Sequence, residues 1–341
     1  MNRILTLTIA CFAGVSFAAE KKRVVVCTVT TGFRHSSIPF AEKTLEKLGA
    51  ESGAYEIVGW ARQPEVNIPK KPEKPKAPKP LDANADDKAK AKFEAETKKF
   101  AEAEAKYAAE MAKWGPEQED AVKNAQTKRD EAMKASMAVL SPESLAKNKV
   151  DLVIFANTTG DLPLPDRDGF LKWIEDGGNF AAMHSGSDTF HGFKGYLQML
   201  QGEFKTHGPQ VPADLIAGDK AHPANGGIGE KWDIALEEMY EFKEGSHDRE
   251  KVRALWFLRH HPVKKDEAGY NAVSWCRTAG KGRVFYTSLG HREDLWSDDP
   301  AMPGRKNSVE VSKQYQAHIL GGIKWALGLA PGESKPNPEV K

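Results

Sequence analysis

The sequence predicts an α/β fold with three layers, in which a doubly wound, mostly parallel sheet is interrupted by an inserted α-helical hairpin. Strand-like and helix-like segments alternate along the chain, which favours a parallel sheet with helices on its faces. The short apolar run Phe180–Met183, with Gly177-Gly178 before it and Gly186 after it, is typical of a buried parallel strand that enters a tight turn. Residues 63–137 differ in composition, so the α/β domain is predicted to comprise residues 19–62 and 138–330.

The first residues have the pattern of a secretory signal peptide. Arg3 precedes the apolar run Ile4–Val15, and Ser16-Phe17-Ala18 supplies small residues at the cleavage position. The apolar run is too short to span a bilayer, and no later stretch is long and apolar enough to do so. We therefore expect residues 1–18 to be removed, the mature chain to be periplasmic or secreted, and no transmembrane segment to remain.

Charge and cysteine content narrow the classes of function. The formal net charge is +1 and the charges are well mixed, so no basic surface for nucleic acid is expected. Cys27 and Cys276 remain after Cys11 leaves with the signal peptide, and both lie in apolar, strand-like runs. Two interpretations stay open for them: one disulfide, or, as we prefer, two buried small side chains.

The first α/β unit lies before the change in composition. The β-branched run Arg23–Val29 predicts a strand, and Tyr55–Trp60 predicts a second one. Between them, Ser36–Leu48 has helical spacing, with Ser36 or Ser37 available as the N-cap. This order of strand, loop, helix and strand favours a doubly wound sheet.

The inserted segment has two parts. Residues 63–81 are rich in proline and lysine, which predicts a semi-rigid extended linker. Residues 82–137 are rich in alanine, glutamate and lysine and are broken at Gly115-Pro116, which predicts a helical hairpin. Either the hairpin packs on itself or it binds a protein partner through an aromatic stripe. The stripe consists of Phe93, Phe100, Tyr107 and Trp114, which recur every seven residues.

The α/β pattern resumes after the insertion. Val150–Ala156 predicts a buried strand, and the amphipathic segment Asp166–Asp176 predicts the helix that leads to Phe180–Met183. Residues 331–341, rich in proline, glutamate and lysine, are predicted to be a disordered tail. The other predicted elements are helices over Tyr196–Leu200 and Val309–Leu327 and strands over Val211–Ala217, Val252–Leu258, Ala272–Cys276 and Arg283–Leu289, with an antiparallel edge among the late strands.

Polar side chains follow three of the predicted parallel strands. Arg34 and His35 follow the first strand, Asn157–Thr159 follow the third, and His184–Asp188 follow the fourth. Ligands bind at the carboxyl ends of strands in open α/β sheets, and parallel strands present those ends along one edge. The sequence therefore predicts one functional crevice at that edge.

Eight short motifs carry a resemblance to a known family. They are Gly32–His35, Asn157–Gly160, Gly178–Asp188, Gly202–His207, His222-Pro223, Glu237–Tyr240, Gly280–Tyr286 and Leu289–His291. In this order they resemble the ThuA family, the trehalose-utilisation proteins of the class I glutamine amidotransferase-like superfamily. The resemblance implies the flavodoxin-like type of α/β fold for the whole mature chain except the insertion.

The comparison with amidotransferases indicates which chemistry is lost. Their strand-to-helix elbow carries a cysteine activated by the histidine of a His-x-Glu motif. Here His184 stands in the place of the cysteine, while His291-Arg292-Glu293 keeps the His-x-Glu spacing. Glutamine hydrolysis through a thioester is therefore not expected. His184, His291 and Glu293 are the predicted catalytic residues.

Other residues are predicted to bind a substrate or a metal. The sequence establishes no cofactor, and a divalent metal such as zinc, held by His35, His184, Glu238 and His291, stays open beside a metal-free acid/base pair of histidines. Trp232, Trp256, Trp275 and Trp296 are expected in the core, with sugar stacking as the alternative. The predicted substrate-binding residues are Arg34, His35, Asp188, His207, Glu238 and Tyr240.

The resemblance implies an exported enzyme that acts on a disaccharide or a 3-keto-glycoside by elimination, hydrolysis or isomerisation. A keto group acidifies the neighbouring C–H bond, so one base and one group that stabilises the oxyanion are sufficient. The alternative is a carbohydrate-binding or scaffold protein that kept the superfamily fold, with the inserted helices as its docking arm. A small carbohydrate is the expected partner in both cases.

Overall fold

A computed structural model of the chain describes residues 20–261 and 268–340. The predicted signal peptide lies outside the described residues. The strands are β1 (Lys22–Cys27), β2 (Tyr55–Ala61), β3 (Leu152–Ala156), β4 (Asn179–Met183), β5 (Phe204–His207), β6 (Val211–Ala217), β7 (Lys231–Glu237), β8 (Tyr240–Phe242), β9 (Arg253–His260), β10 (Ala268–Ala279) and β11 (Gly282–Thr287). The helices are α1 (Ile38–Ser52), α2 (Asp87–Met111), α3 (Pro116–Met137), α4 (Pro142–Lys147), α5 (Arg167–Glu175), α6 (Lys194–Leu200), α7 (Glu293–Trp296) and α8 (Val309–Ala326).

Nine of these strands form one mixed sheet in the order β2-β1-β3-β4-β11-β10-β9-β6-β7. The pairs from β2 to β11 are parallel, and the pairs from β11 to β7 are antiparallel. The α/β class and the antiparallel edge are confirmed, although the antiparallel part is as large as the parallel part. Strands β5 and β8 form a separate antiparallel pair, which the sequence did not predict.

Apolar side chains are buried on both faces of the parallel strands. Val24 and Val26 of β1 pack with α1 and α8 residues in one cluster, whereas Val25 and Cys27 pack with residues of α5 and α6 in the other. Successive side chains of a strand point to opposite faces, so a strand that is apolar throughout needs a cover on each side. Burial on both faces explains why β1, β3 and β4 appear in the sequence as continuous apolar runs.

The inserted helices are joined to the domain at one end. α2 has no buried residue, and Met133 and Met137 are the buried residues of α3. Met137 Sδ lies 3.7 Å from Cys27 Sγ, so the C-terminal end of α3 contributes to the core on one face of β1. The members of the aromatic stripe, Phe93, Phe100, Tyr107 and Trp114, are half-buried.

The proline- and lysine-rich linker lies against the hairpin. Pro75 and Pro78 line a shallow cavity together with Phe100 of α2. Lys71 Nζ lies 3.2 Å from Glu119 Oε1 of α3. Every third residue of a polyproline II helix lies on the same side. Four prolines of the linker have this spacing and are half-buried, while the lysines between them are exposed: Pro69, Pro72, Pro75 and Pro78.

The prediction of a disordered tail is wrong for residues 331–340. Asn337 is buried, and its side chain accepts a hydrogen bond from the Ala254 N–H at 2.7 Å and donates to the Ala254 carbonyl at 3.1 Å. Arg253 Nη1 donates to the Lys335 carbonyl at 3.0 Å. A polar composition does not prevent docking here, because β9 offers backbone groups that the Asn337 amide satisfies.

Three further predictions concern the two cysteines, the N-cap of α1 and the membrane. Cys27 and Cys276 are both free and buried, which confirms the preferred interpretation. Ser37 stands at the N-cap position of α1 without a capping hydrogen bond, and its hydroxyl instead donates to the Gly290 carbonyl at 3.2 Å. Within the described residues, no helix combines the length and apolar content required to cross a bilayer.

Candidate functional site

The structure brings four of the predicted residues together at the carboxyl ends of the parallel strands. His35 follows β1, His184 follows β4, His291 follows β11, and Glu238 lies between β7 and β8. One side-chain nitrogen or oxygen from each lies within 4.8 Å of the corresponding atoms of the other three. We call these four residues the histidine–glutamate centre.

A tight backbone turn places His184 at the end of β4. The residue has φ 49°, in the left-handed region that side chains rarely adopt. A Cβ at Gly186 would lie 2.7 Å from the Ala182 side chain, so the following turn needs a glycine there. Strain of this kind persists where the surrounding structure enforces it, and it is common at functional sites. The elbow predicted from the sequence is therefore present in the backbone.

Hydrogen bonds determine the tautomer of His184. Its Nδ1 lies 2.8 Å from the carbonyl oxygen of Ser288, which only accepts, so Nδ1 carries the proton. In the neutral ring Nε2 then has a free lone pair. The Tyr240 hydroxyl lies 2.8 Å and His35 Nε2 lies 3.2 Å from this Nε2.

Two of the imidazoles are held in the neutral form. Burial, together with the neighbouring His291 and His207, lowers the pKa of His35 to about 3. Burial, together with the neighbouring His35 and His291, lowers the pKa of His184 well below its ordinary value. A neutral imidazole offers a lone pair to a proton or a metal ion, which an imidazolium does not.

Glu238 brings negative charge to the centre. Its Oε2 lies 3.2 Å from His291 Nδ1, and its Oε1 lies 2.9 Å from His207 Nδ1. Burial lowers the pKa of His291, but the Glu238 carboxylate beside it more than compensates, so that the pKa lies above its ordinary value. The same Oε2 lies farther from His184 Nε2, at 3.7 Å, so His291 is the imidazole of the centre that is closest to the carboxylate.

A second buried glutamate, Glu237, supports His291 through the backbone. Its carboxylate accepts hydrogen bonds from the N–H groups of Gly290 at 3.0 Å, His291 at 2.7 Å and Arg292 at 3.3 Å. Burial raises the pKa of Glu237 to about 7, although His291 and these N–H groups oppose the rise. No role of Glu237 was predicted from its sequence context. The available signal was its place beside Glu238 in one motif.

Glu293, the third predicted catalytic residue, is not the carboxylate beside His291. The Glu293 carboxylate accepts a hydrogen bond from the Ser36 hydroxyl, whereas the carboxylate oxygen beside His291 is that of Glu238. The His-x-Glu spacing places Glu293 on the first turn of α7. Its charge still raises the pKa of His291, as a more distant contribution.

Two other predicted residues lie outside the centre. Asp188 Oδ1 lies 2.7 Å from His191 Nε2, and the other nitrogen of that ring lies 2.8 Å from Glu203. Arg34 Nη1 donates to the Thr28 carbonyl at 2.9 Å. Substrate binding by Asp188 and Arg34 stays a prediction. Trp232, Trp256, Trp275 and Trp296 are fully buried, so core packing is confirmed for them and sugar stacking is excluded.

The donor set of the centre suits a divalent transition metal. Three imidazole nitrogens and one carboxylate oxygen are ligands that zinc binds in proteins. The bond from His184 Nδ1 to a backbone carbonyl is the kind of second-shell contact that orients a ligating histidine. A cavity of about 230 Å³ borders on Tyr240 and Ser288, two of the residues that contact His184.

Fold and site together define an α/β protein with a histidine–glutamate centre at the strand ends. The family model for ThuA, trehalose utilisation, matches residues 90–326. The chain belongs to this family.

The chain is also similar in structure to two solved ThuA-like proteins. The one from Parabacteroides merdae is 14% identical with a TM-score of 0.53, over 94% of this chain and 99% of that one. The one from Bacteroides uniformis is 13% identical with a TM-score of 0.52, over 92% of this chain and 95% of that one. At such identities the likeness concerns the fold. No curated protein matches the chain.

Proposed function

We propose that this ThuA-family protein is an exported enzyme that acts on a disaccharide or a 3-keto-glycoside at the histidine–glutamate centre with the help of a divalent metal ion. The observation that carries the proposal is the convergence of three imidazoles and one carboxylate within 4.8 Å at the strand ends. His35 and His184 have lowered pKa values, so both imidazoles are neutral and can bind a metal ion, which protonated imidazoles could not do.

The tautomer of His184 favours a metal over a metal-free acid/base pair. A histidine that stabilises an oxyanion directly must donate a proton, but the His184 proton is on Nδ1 and points to Ser288. Protonating Nε2 as well is opposed by burial and by neighbouring imidazoles. The Nε2 lone pair is instead suited to a cation, and a divalent ion supplies Lewis acidity toward a keto or glycosidic oxygen.

The proposed base is His291, with Glu238 beside it, so the metal ion would be held by His35, His184 and Glu238. In a 3-keto-glycoside the base removes a proton from the carbon next to the keto group, and the carboxylate stabilises the imidazolium that forms. The Oε2 to Nδ1 distance of 3.2 Å suits this support. Tyr240 and His207 also contact members of the centre and are proposed to position the sugar, as are Arg34 and Asp188 at the rim.

The test combines metal content with turnover. Purified protein is analysed for bound metal and then incubated with trehalose and 3-keto-trehalose, with and without added Zn²⁺. We expect about one equivalent of metal per chain, and product that disappears on chelation and returns with metal. His184→Ala should lose both the metal and the product, His291→Ala should lose the product and keep the metal, and His260→Ala, at an exposed histidine, should keep both. Turnover that survives in both alanine variants would end the assignment.

The second candidate is a carbohydrate-binding or scaffold protein in which the inserted helices dock a protein partner. It is favoured by the hairpin, where Met133 and Met137 are the buried residues and α2 has none. Sugar binding without product at any metal concentration would support this candidate over the enzyme.

The proposal also includes export of the protein and the three-layer, doubly wound type of fold. The pattern of residues 1–18 supports cleavage after Ala18, which intact mass of the exported protein would test. Helices on both faces of the sheet support the three-layer, doubly wound type of the class I glutamine amidotransferase-like superfamily. Carbohydrate metabolism as the biological setting rests on the family resemblance.

A further inference from the structure

We propose that Phe33 is a stacking platform for a pyranose ring at the mouth of the histidine–glutamate centre. This inference rests on the proposed function and specifies its substrate as a glycoside with an apolar ring face. Phe33 is 68% exposed, more than the other large exposed apolar residues described, Leu81 and Leu329. Those two lie in the linker and beyond α8, whereas Phe33 lies beside the site.

The position of Phe33 joins it directly to the centre. Its ring centroid lies 4.9 Å from that of His35, with the planes at 81°. The His35 ring in turn lies 4.7 Å from His184 and 5.3 Å from His291. The His35 ring would therefore lie between a sugar stacked on Phe33 and the residues His184 and His291.

The loop that carries Phe33 is held by its backbone. The Thr159 hydroxyl donates to the Phe33 carbonyl at 2.7 Å, and the Thr31 N–H donates to the Thr159 carbonyl at 2.9 Å. A Cβ at Gly32 would lie 3.1 Å from Thr159 Oγ1, so a side chain there would press the loop away from its neighbour. These contacts hold the Phe33 backbone in place, while most of the ring stays exposed.

The chemistry favours a sugar as the occupant. A binding site combines an apolar surface with a few polar groups that fix orientation. The imidazoles and Glu238 provide the polar groups, and with the four tryptophans named above fully buried, Phe33 provides the apolar surface. In a glucose-configured pyranose the axial C–H groups form apolar faces while the hydroxyls point outward at the edge. An aromatic face against the ring C–H groups and polar groups against the hydroxyls match this division.

The test uses Phe33→Ala, Phe33→Trp and, as a matched control, Leu329→Ala, which removes an exposed apolar side chain away from the site. Binding of trehalose is followed by saturation-transfer NMR, and turnover of the disaccharide or 3-keto-glycoside by steady-state kinetics. We expect Phe33→Ala to raise KM about tenfold with kcat within about twofold, because a stacked ring binds ground state and transition state alike. Saturation of the ring C–H protons should fall in Phe33→Ala and return in Phe33→Trp.

The outcomes separate this inference from the proposed function. Unchanged KM and unchanged saturation transfer in Phe33→Ala would overturn the stacking platform and leave the enzyme assignment intact. A wild-type protein that neither binds nor converts any sugar would overturn the proposed function and the platform with it. Equal binding of an acyclic polyol and of trehalose by the wild type would overturn the requirement for a ring.

Discussion

Replacing Glu237 tests the structural support of the centre. The buried carboxylate accepts three backbone N–H groups of the loop that carries His291. Glu237→Ala leaves these donors without an acceptor and should lower the free energy of unfolding by about 3–5 kcal/mol, since each unpaired buried group costs about 1–3 kcal/mol and some water enters the cavity. Glu237→Gln keeps one acceptor oxygen but places the side-chain NH₂ group against a backbone N–H. The free energy of unfolding is therefore expected to fall by about 1–3 kcal/mol at low pH.

The same residue makes the stability depend on pH. Because the pKa of Glu237 is raised from 4.5 to about 7 in the fold, the folded state binds the proton more tightly than the unfolded state. The contribution of protonated Glu237 to the free energy of unfolding is fully present below pH 4.5 and is lost as pH rises through about 7. Between pH 5 and 8 the wild type should lose about 2–3 kcal/mol from this group. Glu237→Gln lacks this pH dependence. Its free energy of unfolding relative to that of the wild type should therefore rise by the same amount between pH 5 and pH 8.

Urea denaturation of wild type, Glu237→Gln and Glu237→Ala at pH 5 and pH 8 measures both effects, and kcat reports whether His291 is displaced. We expect kcat to fall in both variants because the N–H contacts place the His291 backbone. A Glu237→Ala protein within about 1 kcal/mol of the wild type at both pH values would refute the reasoning that this carboxylate anchors the loop.

Three other replacements and treatments have defined outcomes. Tyr240→Phe removes the hydroxyl that lies 2.8 Å from His184 Nε2. Because a hydrogen bond that competes with the metal is lost, Zn²⁺ binding measured by calorimetry should become about fivefold tighter. Weaker binding would indicate that the hydroxyl helps to hold the ion. Asn337→Ala should lower the free energy of unfolding by about 2 kcal/mol, since the docked tail loses its bonds to Ala254 and Gly218; an unchanged urea midpoint would contradict docking of the tail. Cys27 and Cys276 should resist alkylation in the native protein at pH 8, because both thiols are buried and burial raises their pKa, that of Cys27 to about 12; rapid labelling counted by intact mass would show that one of them is accessible.

The parallel part of the fold and the edge that carries the site were predictable from the sequence. Continuous apolar runs such as Val150–Ala156 identify strands covered on both faces, and the polar residues that follow them must then meet at one sheet edge. That rule was sufficient to predict that His35 and His184 approach each other, 149 positions apart in the chain. Strands β5 and β8 lacked such a signal, because segments of four and three residues are too short to show a period, whereas β7 was not predicted although it alternates apolar and polar residues.

The pairing of side chains across the site was decided by the tertiary structure. Local spacing favoured Glu293 as the partner of His291, but Glu238 lies closer because β7 and β8 return to the crevice from elsewhere in the chain. The tautomer of His184, the support from Glu237 and the docking of Asn337 depend in the same way on backbone groups far off in sequence. Periodicity and composition report whether a residue's own segment is buried. They carry no information on which distant carbonyl or carboxylate comes within 3 Å, and that distance sets the chemistry of the centre.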